Sequence, residues 1–505
     1  MNFLSLNFLI FSPLIAAIVI ASPLFGYNPL YIRRFSKTFA SLHFLYSLLF
    51  VLNQKNNVEP LYTEFTIFGK NWLDSFGINA AFGLDGLTSL LVAFTSLVFL
   101  LVLIISKTTI KYKHKMYYTL IFCLLTTTLG IFTSKDIFLF FMFWEAELIP
   151  LYLLISEWGA EKSKDSATKY LLFSFTGSIF ILAAIIGMYY YGFAANQELS
   201  SSIDFLRIYT SDEVCPYYLQ ILMFLGLLTG FAIKLPLVPF HLWFTEVNED
   251  AEIPVNMVIA AVLVNTGAYG IIKFNLSLFP EIFTKFTPFM MIIAVFTIIW
   301  ASFAAFNQKH IKKTVAYFSI AQTGIFLLGV ASGNKTGIDG AFLMMFAHSM
   351  TVAGLYLITG LVYKAAKTYS IQEISGLGKC MPLLMICSYV IIFSAFGLPF
   401  TAAFPAEFLI FTGSVCTDLS MIYKILSAVG ICGLILISSF VIKLFHGIFC
   451  GNLKVQNKRI TDIYGHKATA TLTIVFCILL LGMFPDTIIS IFNSVSENLI
   501  EILRV

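Results

Sequence analysis

Apolar residues in this chain fall into long, nearly uncharged stretches that short polar segments separate. About fourteen of them approach the roughly 20 residues that an α-helix needs to cross a bilayer. The pattern predicts an all-α polytopic membrane protein that forms a single membrane domain. The approximate cores of the predicted spans are Phe3–Ile20, Phe39–Val51, Leu84–Ile105, Tyr117–Ile131, Ile137–Ile155, Leu171–Gly192, Ile221–Trp243, Val255–Ile272, Thr287–Phe306, Val315–Ala331, Ala341–Tyr363, Leu383–Thr412, Ile425–Cys450 and Thr471–Ile489.

Composition supports this class. Hydrophobic residues make up 59% of the 505 positions and charged residues 11%, which excludes a soluble globule with a polar surface. The eight cysteines are scattered without metal-ligand spacing, so we read them as packing residues. The net charge of +4 gives no reason to expect a nucleic-acid partner. The first stretch, Met1–Pro23, lacks a basic leading segment and is predicted to be a span rather than a cleaved signal peptide.

The distribution of basic residues predicts the orientation of the spans. Of the 31 lysines and arginines, 20 lie in odd-numbered loops and 9 in even-numbered loops or the C-terminal tail. Because short loops rich in Lys and Arg stay on the cytoplasmic or matrix side, the odd loops are placed there. Both termini are then expected on the opposite side.

Three ionisable residues, Glu145, Lys234 and Glu407, are embedded in predicted spans. A charge at the bilayer centre costs roughly 2.5–3.5 kcal/mol on insertion scales, so such residues usually face a partner charge or a wet cavity. They indicate an ion path through the protein.

Two predicted spans contain paired prolines. The first holds Pro236 and Pro239, and the second holds Pro399 and Pro405 close to a glycine. Proline removes a backbone hydrogen bond, and a broken membrane helix persists where protein or cavity water satisfies the freed groups. Breaks five spans apart, each two residues from an embedded charge, favour a five-helix repeat used twice with ion sites at the breaks. The alternative is that these prolines only kink their helices.

Six segments carry the most distinctive motifs of the sequence: FGLDGL (82–87), FWEAELIPLYLLISEWG (143–159), FAIKLPLVPFHLW (231–243), AYGIIKFNLSLFP (268–280), KKTVAYFSIAQTGIFLLG (312–329) and ISGLGKCMP (374–382). Together they resemble subunit 4 of the proton-pumping NADH:quinone oxidoreductase, respiratory complex I, known as subunit M in bacteria. The resemblance implies an antiporter-like fold of fourteen helices with two inverted five-helix repeats and breaks in helices 7 and 12. It divides the chain into helices 1–3 (1–115), a first repeat (116–275), a second repeat (285–450) and a C-terminal part (470–505).

Matched residue by residue, the resemblance implies that Glu145, Lys234 and Glu407 carry proton translocation. Burial favours a neutral lysine and a nearby carboxylate favours the ammonium, so Glu145 is expected to modulate Lys234. The alternative is a static ion pair that fastens two helices. Glu147 lies about 200° from Glu145 on an ideal helix and is expected to face a neighbouring helix or subunit.

The resemblance also implies a relay between the two charged breaks. His241 and His348 match ring-bearing positions on the family's central polar axis and would pass protons through water, although either could simply be a packing residue. Asn265 stands where the family usually has a lysine, and Gln322 where it usually has a histidine. Neither side chain titrates, so water would have to bridge the middle of the path.

No dinucleotide loop, cysteine array or haem-type histidine pair occurs in the sequence, so no cofactor is expected in this chain. FMN, iron–sulfur clusters and quinone are then implied in partner subunits. Expected partners are neighbouring antiporter-like subunits and membrane lipids. A composition typical of an AT-rich genome favours the mitochondrial inner membrane, with a bacterial plasma membrane or thylakoid as alternatives. Two other functions stay open: a subunit of a multi-subunit cation/proton antiporter, or a non-pumping structural subunit of a respiratory complex.

Overall fold

The computed structural model describes residues 5–56, 60–64, 73, 77–196, 201–203, 206, 215–416, 421–454 and 460–504. Within these ranges the chain is almost entirely helical, apart from a hairpin of two antiparallel strands, β1 (Leu61–Glu64) and β2 (Ala81–Leu84). The helices are α1 (Leu6–Ala21), α2 (Pro29–Asn56), α3 (Gly86–Thr109), α4 (His114–Thr133), α5 (Ile137–Ala146), α6 (Leu148–Trp158), α7 (Ser163–Asn196), α8 (Tyr217–Lys234), α9 (Leu242–Asp250), α10 (Ile253–Leu276), α11 (Pro280–Phe306), α12 (Ile311–Ala331), α13 (Lys335–Ala366), α14 (Pro382–Ala395), α15 (Ala403–Val415), α16 (Met421–Phe449), α17 (His466–Met483) and α18 (Pro485–Arg504).

The predicted all-α polytopic architecture is confirmed. Among the described residues, 12 helical segments are long and apolar enough to cross a membrane, with α5 and α6 taken as one span. Three further apolar helices, α1, α14 and α15, have fewer than 18 residues each and are too short to be counted with them. The total of fourteen spans therefore stays a prediction, as do the limits of the two repeats.

Two helices form the centre of the bundle. The apolar stretch of α10 that would span the membrane is 100% buried, and so is the corresponding stretch of α13. Helix α13 packs against α12, α14, α15 and α17, and also against the first half of α10. A Cβ atom at Gly267 of α10 would lie 2.8 Å from the backbone nitrogen of Leu235, so glycine lets α10 approach the end of α8 closely. The centre of the protein thus meets the first helix break.

Both predicted breaks are present. The first separates α8 from α9 over residues 235–241 and contains Pro236 and Pro239; the second separates α14 from α15 over residues 396–402 and contains Pro399. In the first break, the backbone N–H of Val238 donates to the hydroxyl of Thr297 on α11, at 3.2 Å.

Pro405 is a correction to the sequence prediction, because it does not lie in a break. It is the third residue of α15, in the first turn, where a missing N–H removes no intrahelical hydrogen bond. The second break is therefore built with one proline and the positive-φ residues Gly397 and Phe400.

Candidate functional site

A buried ion pair joins Lys234, the last residue of α8, to Glu147, between α5 and α6. Their side chains are 2% and 0% exposed, and every other ion pair among the described residues is far more exposed. The Lys234 ammonium also lies 4.9 Å from the ring centre of Trp144 and 5.8 Å from that of Tyr170. A lysine enclosed by a carboxylate and two aromatic rings keeps its charge away from lipid.

This pairing corrects the sequence prediction, which assigned Glu145 to Lys234 and turned Glu147 away. Glu145 is half-buried on the opposite side of α5, between Met142 and Ile149, which are 48% and 67% exposed. One carboxylate oxygen of Glu145 is buried and accepts no hydrogen bond from the described residues. The 200° separation was sound, but the inward face was assigned to the wrong glutamate.

The helical register of α5 and α6 explains which glutamate points inward. The buried positions Trp144, Leu151, Leu154 and Trp158 recur at intervals of three, four and seven residues, and Glu147 falls in this series. Glu145 does not. A register argument on the tryptophans was therefore the signal that could have identified Glu147.

The embedded charges suit the ends of the half-helices that carry them. Lys234 closes α8, where the helix dipole is negative, and Glu407 lies in the second turn of α15, near its positive end.

In the first break, His241 precedes α9 as its N-cap residue and is buried, with its ring centre 6.2 Å from that of Tyr317. The Nδ1 atom of His241 has no hydrogen-bond partner among the described residues.

Asn265 links the two halves of the chain. It lies on α10 between two π-helical segments, Ile259–Leu263 and Ile271–Leu276, and π segments are often found at functional sites. Its amide donates to the carbonyl of Met345 at 3.1 Å and to the hydroxyl of Ser349 at 2.8 Å, both on α13. The amide is thus fixed at the contact between the central helices.

A small cavity lies directly beyond Lys234. It is lined by Leu235, Asn265, Gln322 and His348 among others, and its volume is ≈ 10 Å³, about the smallest that can hold one water molecule. The Nε2 atom of His348 is 2.9 Å from the hydroxyl of Ser319. Gln322 is 1% exposed, and neither its amide oxygen nor its amide nitrogen has a partner among the described residues. Three of the positions singled out from sequence, Asn265, Gln322 and His348, therefore meet around one small cavity.

Glu407 lies at the second break in a different environment. It is 5% exposed, its Oε1 atom has no partner among the described residues, and it borders an apolar groove of ≈ 570 Å³ on the side of the bundle. Gly397 packs directly on the carboxylate, because a Cβ atom there would lie 2.0 Å from Glu407 Oε2. Gly397 also has φ +64°, which L-residues rarely adopt. The glycine therefore both forms the break and leaves room for the acid.

The end of α9 and the link to α10 carry four acidic residues, and three of them bond to neighbouring helices. Glu246 pairs with a lysine of α7 at 2.5 Å, and Glu249 pairs with a lysine of α12 at 2.6 Å. Asp250 accepts a hydrogen bond from a serine of α7. Burial raises the pKa of Glu252, although Lys312 opposes this shift. Among the described residues, no group of three or more His, Cys, Asp or Glu side chains could hold a metal ion.

Comparison with known proteins bears directly on this arrangement. The family model described as NADH:quinone oxidoreductase/Mrp antiporter, TM, matches residues 134–441. The NAD(P)H-quinone oxidoreductase chain 4 2 of Thermosynechococcus vestitus is 34% identical over 421 residues, 82% of this chain and 77% of that protein. The NADH-quinone oxidoreductase subunit M of Rickettsia typhi is 31% identical over 434 residues, 85% and 84% of the two chains.

A chain of respiratory complex I from Thermus thermophilus superposes with a TM-score of 0.87 at 24% identity, covering 99% of this chain and 100% of that one. This likeness bears on the fold and confirms the predicted antiporter-like architecture. The family match spans more than half of the sequence, and the two relatives exceed 30% identity over most of it. The chain is therefore a multi-pass membrane protein that belongs to the transmembrane family of NADH:quinone oxidoreductase and Mrp antiporter subunits.

Proposed function

We propose that this chain is a proton-translocating, antiporter-like subunit of an NADH:quinone oxidoreductase, equivalent to subunit 4 or M. The observation that carries the proposal is the buried Lys234–Glu147 pair at a helix break, beside a polar cavity that reaches His348. A buried charge pair that only fastened helices would not need an adjoining cavity lined by relay-type side chains. The chain conducts protons, and other subunits carry out the oxidation and reduction.

The proposed path starts at Lys234 and ends at Glu407. When Glu147 moves away, the Lys234 ammonium loses its stabilising carboxylate in a nearly dry site and releases its proton. The proton crosses the cavity through water held by the amides of Asn265 and Gln322, reaches His348, and leaves by Glu407. Glu407 is suited to accept it, because it is buried and its Oε1 atom has no hydrogen-bond partner among the described residues.

We further propose that flavin mononucleotide, iron–sulfur clusters and the quinone site lie in partner subunits, and that this chain holds no redox centre. Its neighbours are other antiporter-like subunits. Glu145 supports this arrangement, since a half-buried carboxylate between two exposed apolar residues on a membrane helix needs a polar or cationic partner. We propose the mitochondrial inner membrane as its location, because the amino-acid composition is typical of an AT-rich genome. The curated relatives reported above are cyanobacterial and bacterial.

The proposal is tested by purifying the chain from its native membrane and measuring protons pumped per electron after reconstitution. Flavin and iron–sulfur subunits should accompany the chain, and Lys234→Met should lower the ratio. The matched control is Lys443→Met, since Lys443 also lies within a membrane helix but is exposed. An unchanged ratio for Lys234→Met contradicts proton transport by this chain.

Two other functions are distinguished by the same experiment. The matching family also contains Mrp antiporter subunits, and a cation/proton antiporter would exchange ions without redox partners. A structural subunit is favoured by the neutral side chains of Asn265 and Gln322. It would assemble with redox subunits but keep a normal proton ratio when Lys234 is replaced.

A further inference from the structure

A second cavity, which neither Lys234 nor Glu147 lines, opens at the Lys- and Arg-rich end of the bundle. Its volume is ≈ 540 Å³. The ends of α3 and α13 and the starts of α10, α12 and α17 wall it, so it lies where helices meet the membrane boundary. Its charged lining consists of the lysines Lys111, Lys312, Lys364, Lys367 and Lys467 and the acids Asp250 and Glu252.

Part of this charge is already satisfied within the protein. The Lys312 ammonium donates to the carbonyls of Glu249 at 2.9 Å and Ala251 at 2.7 Å, and it lies 4.7 Å from the ring centre of Tyr369. Asp250 accepts a hydrogen bond from α7. These groups close one side of the cleft and leave its other lysines exposed to an incoming anion.

Two of the remaining lysines lie close enough to repel each other. Lys364 at the end of α13 and Lys467 at the start of α17 lie side by side, and neither forms an ion pair with the described residues. Lys37 and Lys107 add positive potential at the same place. Two adjacent ammonium groups, each a compact point charge with three donors, match the oxygens of a phosphate group.

The floor of the cleft is apolar and buried, and its rim carries two exposed aromatic rings, Tyr112 and Tyr363, which are 50% and 39% exposed. A free phosphate ion would leave these rings uncovered, whereas a phospholipid would place its phosphate on the lysines and its glycerol and acyl region against the rings. Basic pockets between membrane helices on the cytoplasmic or matrix side commonly hold acidic headgroups.

We propose that the cleft binds a phosphate-bearing anion between Lys364 and Lys467, and that this anion is the headgroup of an acidic phospholipid. Binding neutralises the two lysines and ties the end of α13 to the start of α17. The site is independent of proton transport by Lys234.

Lysine footprinting on the complex purified from its native membrane tests the proposal. Lysines are acetylated slowly, and modified peptides are quantified with dihexanoyl phosphatidylglycerol, dihexanoyl phosphatidylcholine or inorganic phosphate present. Phosphatidylglycerol at about three times its dissociation constant should slow acetylation of Lys364 and Lys467 about fourfold, because a single site is then free only about a quarter of the time. Lys309 and Lys379, exposed in loops assigned to the same side, serve as internal controls and should react at an unchanged rate.

Each other outcome contradicts part of the proposal. Equal protection by inorganic phosphate would assign the site to the free ion, and equal protection by phosphatidylcholine would remove charge as the basis of recognition. No protection by either anion would eliminate the site. As a second measurement, the double variant Lys364→Gln/Lys467→Gln should lose acidic phospholipid that copurifies with the complex, while Lys309→Gln/Lys379→Gln retains it.

Discussion

The ion pair between Lys234 and Glu147 makes a prediction that separates two glutamates only two positions apart. Replacing Glu147 by Gln keeps the size of the side chain but removes the one carboxylate that, among the described residues, pairs with the buried ammonium. Breaking a buried pair by removing one partner costs about 3–5 kcal/mol. The charge left uncompensated is the Lys234 ammonium, so this cost falls on the charged form of the lysine.

The assay is proton pumping by the reconstituted complex, followed with a pH-sensitive dye and divided by the rate of NADH oxidation. Glu147→Gln should lower the number of protons per electron, because Lys234 no longer binds and releases a proton in each cycle. Glu145→Gln is the matched control: the same chemical change, in the same helical segment, leaves the ion pair intact. Division by electron flow separates pumping from any loss of assembled complex at the Glu145 surface.

A charge exchange adds a test that does not depend on the loss of function. Glu147→Lys combined with Lys234→Glu should recover complex assembly that either single change impairs, because the pair is restored with reversed polarity. The reasoning is refuted if Glu145→Gln abolishes pumping per electron while Glu147→Gln pumps normally. That result would mean that the functional pair is the one expected from the family motif.

Three further predictions concern the cavity, the second break and the start of α5. Gln322→Leu should slow pumping per electron, because it removes both unpartnered amide atoms from the cavity, whereas Gln322→His should preserve it; equal rates would exclude a role for this side chain. Gly397→Ala should impair pumping through displacement of the Glu407 carboxylate, whereas Gly333→Ala should cost only the roughly 1–2 kcal/mol of left-handed strain, since it has the same φ of +64° and no atom within 4 Å of a Cβ. Asp136→Ala should destabilise the protein by about 0.5–2 kcal/mol, seen as a lower temperature of thermal dissociation on native gels, because Asp136 caps α5 through two backbone N–H groups.

Local signals explain why much of this protein was predictable. A proline or a charge within an apolar span is rare, so Lys234, Glu407 and the two breaks stood out without knowledge of any neighbouring helix. The same reasoning was wrong at Pro405, because sequence alone does not distinguish a proline in the first turn of a helix from one inside a break.

The pairing of Glu147 was harder to predict for a physical reason. Residues on both faces of a membrane helix are apolar, one face contacting lipid and the other the protein, so hydrophobicity alone does not mark the inward face. The motif selected Glu145, and only the register of the buried tryptophans pointed to Glu147. The contact of Gly397 with Glu407 and the cavity at Gln322 form where separate chain segments pack together in the folded protein. Neither could be predicted from the spacing of residues along the sequence.

The neutral middle of the proposed path changes how Lys234 is controlled. A lysine in place of Asn265 would put a second positive charge at the cavity next to Lys234, and repulsion in a poorly hydrated site would help to expel the proton. Asn265 instead bonds to α13 and carries no charge, and Gln322 can order water but cannot store a proton. The proton therefore has no resting place between Lys234 and His348. Control of the first step then falls to the α5–α6 side of the lysine, where Glu147 is the acid in contact with it.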